Sequence, residues 1–107
     1  MSIEQFRAVQ ETYTATGNSA APYQLSQIKT YYWSIQVKGT TAAATSWDVR
    51  LEGSNDGVNF QQILQHNATD GSVVFSTTPA VCSFYRIRVA TLTLGSATNI
   101  VVSVVGA

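Results

Sequence analysis

The sequence predicts an all-β fold, a single two-sheet antiparallel β-sandwich of jelly-roll type with seven to eight strands. Apolar and polar residues alternate in several segments, which is typical of half-buried strands. Val and Thr, which favour sheets, are abundant. Turn signals recur about every eight to twelve residues, as in sandwiches and barrels. A chain of 107 residues has the size of one domain, so we expect one sandwich over residues 1–107, with residues 1–22 forming an N-terminal arm and loop.

Three segments show the alternation most clearly: 33–38, 47–52 and 85–89. In each segment the apolar residues fall on one face and the polar or charged residues on the other. The apolar faces should meet between the two sheets. We expect the core to contain Trp33, Ile35, Val37, Trp47, Val49, Leu51, Phe60, Ile87, Val89 and either Val102 or Val104.

Turn residues separate these strands. Residues 38–46 are expected to form a long hairpin loop between the first two strands. Asp56-Gly57 predicts a tight turn, because glycine reaches positive φ without strain. A strand is expected over 60–64, with Phe60 and Leu64 directed inward.

The second half of the chain continues the pattern. Residues 67–71 predict another turn, residues 73–75 a short strand, and Pro79 interrupts the ladder before the strand at Tyr85. Residues 100–105 are apolar enough to predict a closing strand that is buried on both faces.

The N-terminal segment leaves two structures open. Ser2 followed by Gln5 favours the start of a short helix. The alternative is an edge strand with Phe6, Ala8, Gln10, Thr12 and Thr14 on one face. Residues 15–22 predict a loop.

Charge is scarce and balanced. Charged residues make up 11% of the chain, against an average of about 25%. Six basic and six acidic residues give a net charge of zero, which disfavours nucleic acid and anionic membranes as partners. A surface with few charges suits packing against another protein. There is no apolar run long enough to cross a membrane and no signal-peptide pattern, so we expect a protein that is made in a cytoplasm and either stays there or is assembled there.

Catalytic residue types are few, and we expect no enzyme activity and no cofactor. Cys82 stands among apolar residues and is expected to be a small buried side chain. His66 has no catalytic partner nearby in the sequence. Residues with side-chain oxygens lie in turns and could suggest a calcium-binding site. Their spacing matches no calcium-binding loop, and we expect no bound metal. These residues are Asn55, Asp56, Asn59 and Asp70.

Two groups of residues are candidate contacts. Arg86 and Arg88 share the outward face of their strand, where they should pair with Asp48 or Glu52 or contact a neighbouring subunit. The tyrosines are not all explained by one inward face, and an exposed cluster suits sugar stacking or a protein interface. Hydroxyl groups that cap the end of the sandwich are the structural alternative. The cluster consists of Tyr23, Tyr31 and Tyr32.

The run 47–60 has the form strand, Gly-Ser-x-Asp-Gly, then an aromatic residue, and a Tyr-Arg-x-Arg strand follows at 85–88. This succession resembles short tailed-phage virion structural proteins of the capsid decoration or cement type. It is more distantly similar to discoidin or galactose-binding-like jelly rolls, which are usually longer. The resemblance covers residues 32–105.

The resemblance implies a non-enzymatic decoration protein on the capsid surface. Its partner would be the major capsid protein, and it would act as a homo-oligomer on the virion after synthesis in the host cytoplasm. The alternative is a carbohydrate- or receptor-binding module of a phage tail or fibre. Fold resemblance alone does not decide between them.

Overall fold

The computed structural model describes residues 6–18, 23–24 and 32–106. Within these ranges every regular element is a strand, and no helix is long and apolar enough to cross a membrane. The strands are β1 (Phe6–Tyr13), β2 (Gly17–Asn18), β3 (Tyr23–Gln24), β4 (Trp33–Gly39), β5 (Ser46–Ser54), β6 (Gln61–His66), β7 (Val73–Phe75), β8 (Phe84–Thr93) and β9 (Ile100–Gly106).

The strands form two antiparallel sheets. The front sheet has the order β1-β9-β4-β7, and the back sheet has the order β2-β8-β5-β6. β3 also pairs with β8, further along the edge that β2 occupies, so β2 and β3 act as one interrupted edge strand. The pairs β1–β9, β2/β3–β8, β4–β7 and β5–β6 wrap around one another, which is jelly-roll topology. The predicted fold class is confirmed.

The core lies between the sheets and follows the alternation in the sequence. In β4, β8 and the first part of β5 the apolar positions are buried while their neighbours are wholly or partly exposed; at the end of β5, residues 52–54 are buried as well. Both candidates in β9, Val102 and Val104, are fully buried. At one end the rings of Trp33 and Tyr85 join the sheets, with centroids 5.5 Å apart. Period-two alternation therefore predicted most of the core.

Two predicted core features are wrong. Phe60 precedes β6 and is only partly buried, because its ring lies on the outer surface beneath the guanidinium of Arg86, 4.1 Å away. β9 is not buried on both faces: Val101 is half-buried and Val105 is exposed. The outer face of this sheet carries no second layer in the described residues, so an apolar sequence did not imply two-sided burial.

The segment before β5 is a crossover and not a hairpin loop. β4 belongs to the front sheet and β5 to the back sheet, so residues 40–45 pass from one layer to the other. The true hairpin is β5–β6, and Gly57 sits in its turn at φ 78°. The Asp-Gly prediction is confirmed there.

The N-terminal segment is an edge strand where it is described. β1 pairs with β9 and contains an irregularity between Phe6 and Val9. Beyond it the half-buried residues are Val9, Glu11 and Tyr13, while Gln10 and Thr12 are exposed. Gln10 and Thr12 therefore share one face, as in the edge-strand alternative, and the irregularity separates them from the start of the strand. The predicted helix start at Ser2 and the residues 19–22 lie outside the described residues.

Candidate functional site

The outer face of the back sheet carries a network of paired charges. Arg86 donates from Nε to Glu52 Oε1 at 2.7 Å, and Arg88 Nη1 lies 3.6 Å from Glu52 Oε2. Glu52 is 5% exposed although it faces outward, because the two arginines cover it. The predicted cross-strand pairing is confirmed. The charge of Arg86 is therefore largely engaged within the domain.

A second pair extends this network. Arg50 donates to Asp48 from Nε at 3.2 Å and from Nη2 at 2.8 Å, and Gln65 Nε2 donates to Asp48 Oδ1 at 2.8 Å. The hydrogen bonds from Arg50 lower the pKa of Asp48 below its ordinary value, against the opposing effect of its partial burial. Together, the ion pairs and side-chain hydrogen bonds of this network link the outer faces of β5, β6 and β8.

His66 is fully buried and is a structural residue. Trp47 donates from its indole Nε1 to His66 Nδ1 at 2.9 Å, and His66 Nε2 lies 2.8 Å from the carbonyl oxygen of Ser72. The carbonyl can only accept, so Nε2 carries the proton and the ring is neutral. Both ring nitrogens are thus engaged. His66 shares the inward parity of Leu64, which is the sequence signal for its burial.

Cys82 is partly exposed and packs against the core. Its burial raises the pKa of the thiol above the ordinary value, despite a backbone hydrogen bond involving Ser54. A Cβ on Gly53 would lie 2.9 Å from the Cys82 sulfur, so the strand needs glycine at this close approach. The thiol is a packing group beside Gly53.

The oxygen-bearing turn residues do not gather into a cation site. Asp56 accepts hydrogen bonds from the backbone N–H groups of Val58 and Asn59 and from the side chains of Asn59 and Ser54. These bonds hold the pKa of Asp56 far below its ordinary value. Asp70 instead accepts from the backbone N–H of Gly39 at 2.7 Å. The described residues contain no cluster that could hold a metal ion.

The described residues include two of the three tyrosines of the predicted cluster. Tyr32 precedes β4 of the front sheet and is 52% exposed. Tyr23 lies in β3 of the back sheet, opposite Tyr85, and Tyr31 lies outside the described residues. Tyr23 and Tyr32 therefore belong to different sheets.

Exposed apolar side chains concentrate at one end of the sandwich. β4 begins there, β9 and β7 end there, and the β5–β6 turn closes the same end of the back sheet. Of the six large apolar side chains that are exposed in the described ranges, five lie at this end and the sixth, Val73, lies further along the front sheet. We call this surface the apolar end; it consists of Tyr32, Val58, Phe75, Val81 and Val105.

These residues are distant in the sequence, and strand pairing brings them together. Ser34 lies opposite both Phe75 and Val105 in the front sheet. A groove of about 240 Å³ runs between these side chains and Tyr32. On the back sheet, Ser83 donates to the carbonyl of Ser54, which places Val81 beside the β5–β6 turn. No sequence signal pointed to an outward Phe75, because residues 73–75 are all apolar.

A second concavity lies on the outer face of the front sheet, towards the opposite end. Its volume is about 400 Å³. We call it the polar cleft; its lining side chains are Gln10, Gln36, Lys38, Thr40, Thr41, Val101 and Ser103, together with Gly39. Sequence reasoning did not identify it, since its residues come from β1, β4 and β9.

The topology and these surfaces define a small jelly-roll domain with five paired charged side chains on one sheet and several exposed apolar side chains at one end. No family model and no curated protein matches the chain. Among solved structures, the chain is similar to one titled "Crystal structure of SPBc2 prophage-derived protein YomS". The TM-score is 0.50 at 9% identity, over 95% of this chain and 96% of that one. At this identity the likeness concerns the fold.

Proposed function

We propose that the protein is a non-enzymatic structural component of a bacteriophage virion, a decoration protein that docks on the major capsid protein through the apolar end. The apolar end is the observation that carries the proposal. Five large apolar side chains are exposed at this end, and three of them, Tyr32, Phe75 and Val105, line one groove; grouped exposed apolar surface marks interaction sites. The similarity in fold to a prophage-derived protein supports a phage origin.

Docking through the apolar end costs little desolvation of charged groups. None of its five side chains is charged, and the Asp56 carboxylate in the adjacent turn is already held by hydrogen bonds within the fold, so docking mainly buries aromatic and aliphatic surface. Phe75 and Tyr32 are 67% and 52% exposed and flank one groove. Aromatic residues of this kind supply much of the binding energy in protein interfaces.

Repetition strengthens such an interface. Subunits placed around the symmetry axes of a capsid bind as homo-oligomers, and contacts that are weak individually gain avidity. The protein would be made in the host cytoplasm and located on the capsid surface.

The absence of catalysis is part of the proposal. Both nitrogens of His66 are engaged within the fold, and burial keeps the Cys82 thiol protonated. A screen of hydrolase substrates should therefore give no turnover. Turnover that disappears in His66→Gln or Cys82→Ala, with the fold intact by circular dichroism, would contradict it.

The direct test mixes purified protein with undecorated capsids and measures co-sedimentation and cryo-EM occupancy. Full-length protein should occupy symmetry-related sites on the shell. Phe75→Ser should weaken binding by about tenfold or more, since it removes an interface aromatic. The matched control is Arg88→Ser, an exposed residue on the back sheet, which should bind as the wild type does.

The outcomes separate the alternatives. No occupancy of capsid sites would exclude a decoration role, and occupancy of tails or fibres instead would favour the receptor-binding alternative. Loss of binding in Arg88→Ser but not in Phe75→Ser would place the docking surface on the back sheet, where Arg86 and Arg88 were predicted as contacts.

A deletion that spares β1 tests whether the N-terminal arm contributes to docking. Residues 6–13 form β1 and pair with β9, so their removal would damage the front sheet. A variant lacking residues 1–5 leaves this pairing in place. Weaker capsid binding by this variant would support an arm that docks on the shell, and unchanged binding would exclude it.

A further inference from the structure

The polar cleft joins an unpaired cation to several neutral hydrogen-bonding groups. We propose that it binds a saccharide that carries a carboxylate, with Lys38 on the carboxylate and the neighbouring amides and hydroxyls on the sugar hydroxyls. This inference concerns a different surface from the apolar end. It stands whether or not the protein docks on a capsid.

Lys38 supplies the charge recognition. It is exposed on the outer face of β4, and no acidic side chain of the described residues lies within ion-pair distance of it. The arginines Arg50, Arg86 and Arg88, in contrast, all have acidic partners on the back sheet. Lys38 is therefore a cation left available for an anionic ligand.

Neutral groups beside Lys38 remain available for hydrogen bonds. The side chains of Gln10 and Ser103 bond to no other described residue, and their positions are paired across β1 and β9. Gln36 donates from Nε2 to the carbonyl of Gly71 at 2.6 Å. This bond orients the amide and leaves its carbonyl oxygen as an acceptor. Together these groups offer both donors and acceptors, as sugar hydroxyls require.

The end wall of the cleft is held in place by bonds between two loops. The backbone N–H of Thr40 donates to the carbonyl of Asn99, and the N–H of Thr98 donates to the carbonyl of Thr40. Thr40 Oγ1 also donates to Asn99 Oδ1 at 2.6 Å. Thr41 has φ 68°, which is rare for a β-branched residue, and its hydroxyl lies 2.9 Å from that of Thr98. A wall fixed in this way loses little entropy on binding.

The lining favours an acidic sugar over other anions. It contains no aromatic ring, so it offers no stacking surface for a nucleobase. A single ammonium group suits one carboxylate better than a run of phosphates. Val101 supplies an apolar surface against which the C–H groups of a sugar ring can pack.

The test follows backbone amide signals of the full-length protein by ¹H–¹⁵N NMR during titration with 3′-sialyllactose, with a hexuronate disaccharide, and with lactose as the neutral probe. At least one acidic probe should shift the amides of Gln10, Gln36, Lys38 and Thr41, and lactose should bind about tenfold more weakly. Lys38→Gln should remove this difference. The matched control is Arg88→Gln, an exposed cation on the other sheet, which should preserve it.

Three results would overturn the proposal. One is the absence of shifts in the cleft with both acidic probes at about 10 mM, a concentration that detects millimolar affinity. Another is equal binding of lactose and the acidic probes. The third is full retention of acidic preference in Lys38→Gln. Lys38 is exposed on the sheet surface, so its substitution should leave the dispersion of the spectrum intact.

Discussion

Individual polar side chains in this domain form hydrogen bonds and ion pairs with residues that are distant in the sequence. The neutral ring of His66 joins Trp47 of β5 to Ser72 after the β6–β7 turn. Glu52 joins β5 to two arginines of β8. Alternation predicted the faces of Trp47, Glu52 and the arginines, and opposite charges on facing strands predicted the arginine pairs; the burial of His66 was not predicted. Nothing local in the sequence predicted that Trp47 and His66 would bond to each other.

We expect Glu52→Gln to lower the free energy of unfolding by about 2 kcal/mol, because it leaves a partly buried arginine without its counter-charge. Asp48→Asn is the matched control: its pair is more exposed, with side chains 29% and 19% accessible, and should cost below about 1 kcal/mol. Urea denaturation of both variants measures the difference. Equal losses would show that the burial of Glu52 does not strengthen its pairs.

The Asp56 carboxylate should make stability depend on pH. Its pKa is lowered from 3.8 by hydrogen bonds from the turn backbone and the Asn59 and Ser54 side chains. A lowered pKa in the fold means that the stabilisation is complete above the unfolded pKa and is lost as the pH falls through the folded value. The difference in unfolding free energy between wild type and Asp56→Asn should be constant from pH 7 to about 5 and should shrink below about pH 4. A difference that is independent of pH would contradict this assignment.

At the scale of elements, the sequence predicted the strands that show local alternation, but it did not predict which sheet each strand joins. β4, β5 and β8 were predicted because each has one buried face. The sequence predicts a hairpin loop over residues 38–46, whereas residues 40–45 cross between the sheets, because nothing local distinguishes a return in the same sheet from a crossover. The irregularity in β1 also has no local signal in the sequence. The apolar end and the polar cleft were not predicted, because each is formed by outward-facing residues from several strands.

Alanine substitutions at two glycines can distinguish the cost of a positive φ from the cost of a steric clash. A Cβ on Gly71 or on Gly17 would meet nothing within 4 Å, but only Gly71 has positive φ, at 80°. We expect Gly71→Ala to destabilise the fold by about 1 kcal/mol. Gly17→Ala, the control, should be neutral or slightly stabilising. Thermal unfolding of the pair tests this, and equal effects would show that the turn at Gly71 adapts to a side chain.

At the scale of the whole molecule, charge and apolar surface are segregated. The paired charges lie on the outer face of the back sheet, the apolar end lies at one end of the sandwich, and the polar cleft lies towards the other on the front sheet. A domain docked through the apolar end would keep the cleft away from the particle surface. This arrangement would let one small domain bind a shell and a soluble ligand together.

Docking through uncharged side chains predicts a weak dependence on salt. The affinity for capsids should change by less than about threefold between roughly 50 and 500 mM NaCl, because screening acts on charges and the apolar end has none. Sedimentation over this range measures it. A steep decline with salt would point to the arginine network as the docking surface.

The wrapped pairing of the strands has a consequence for how the chain folds. β5–β6 is the pair joined by a short turn, whereas each pair outside it closes a longer loop, up to β1 with β9. Closing long loops costs more entropy and slows folding. We therefore expect the hairpin around Gly57 to form early and β1 to join last. Until β1 pairs, one edge of β9 remains open to strands of other molecules, so conditions that slow the final step should promote aggregation during refolding.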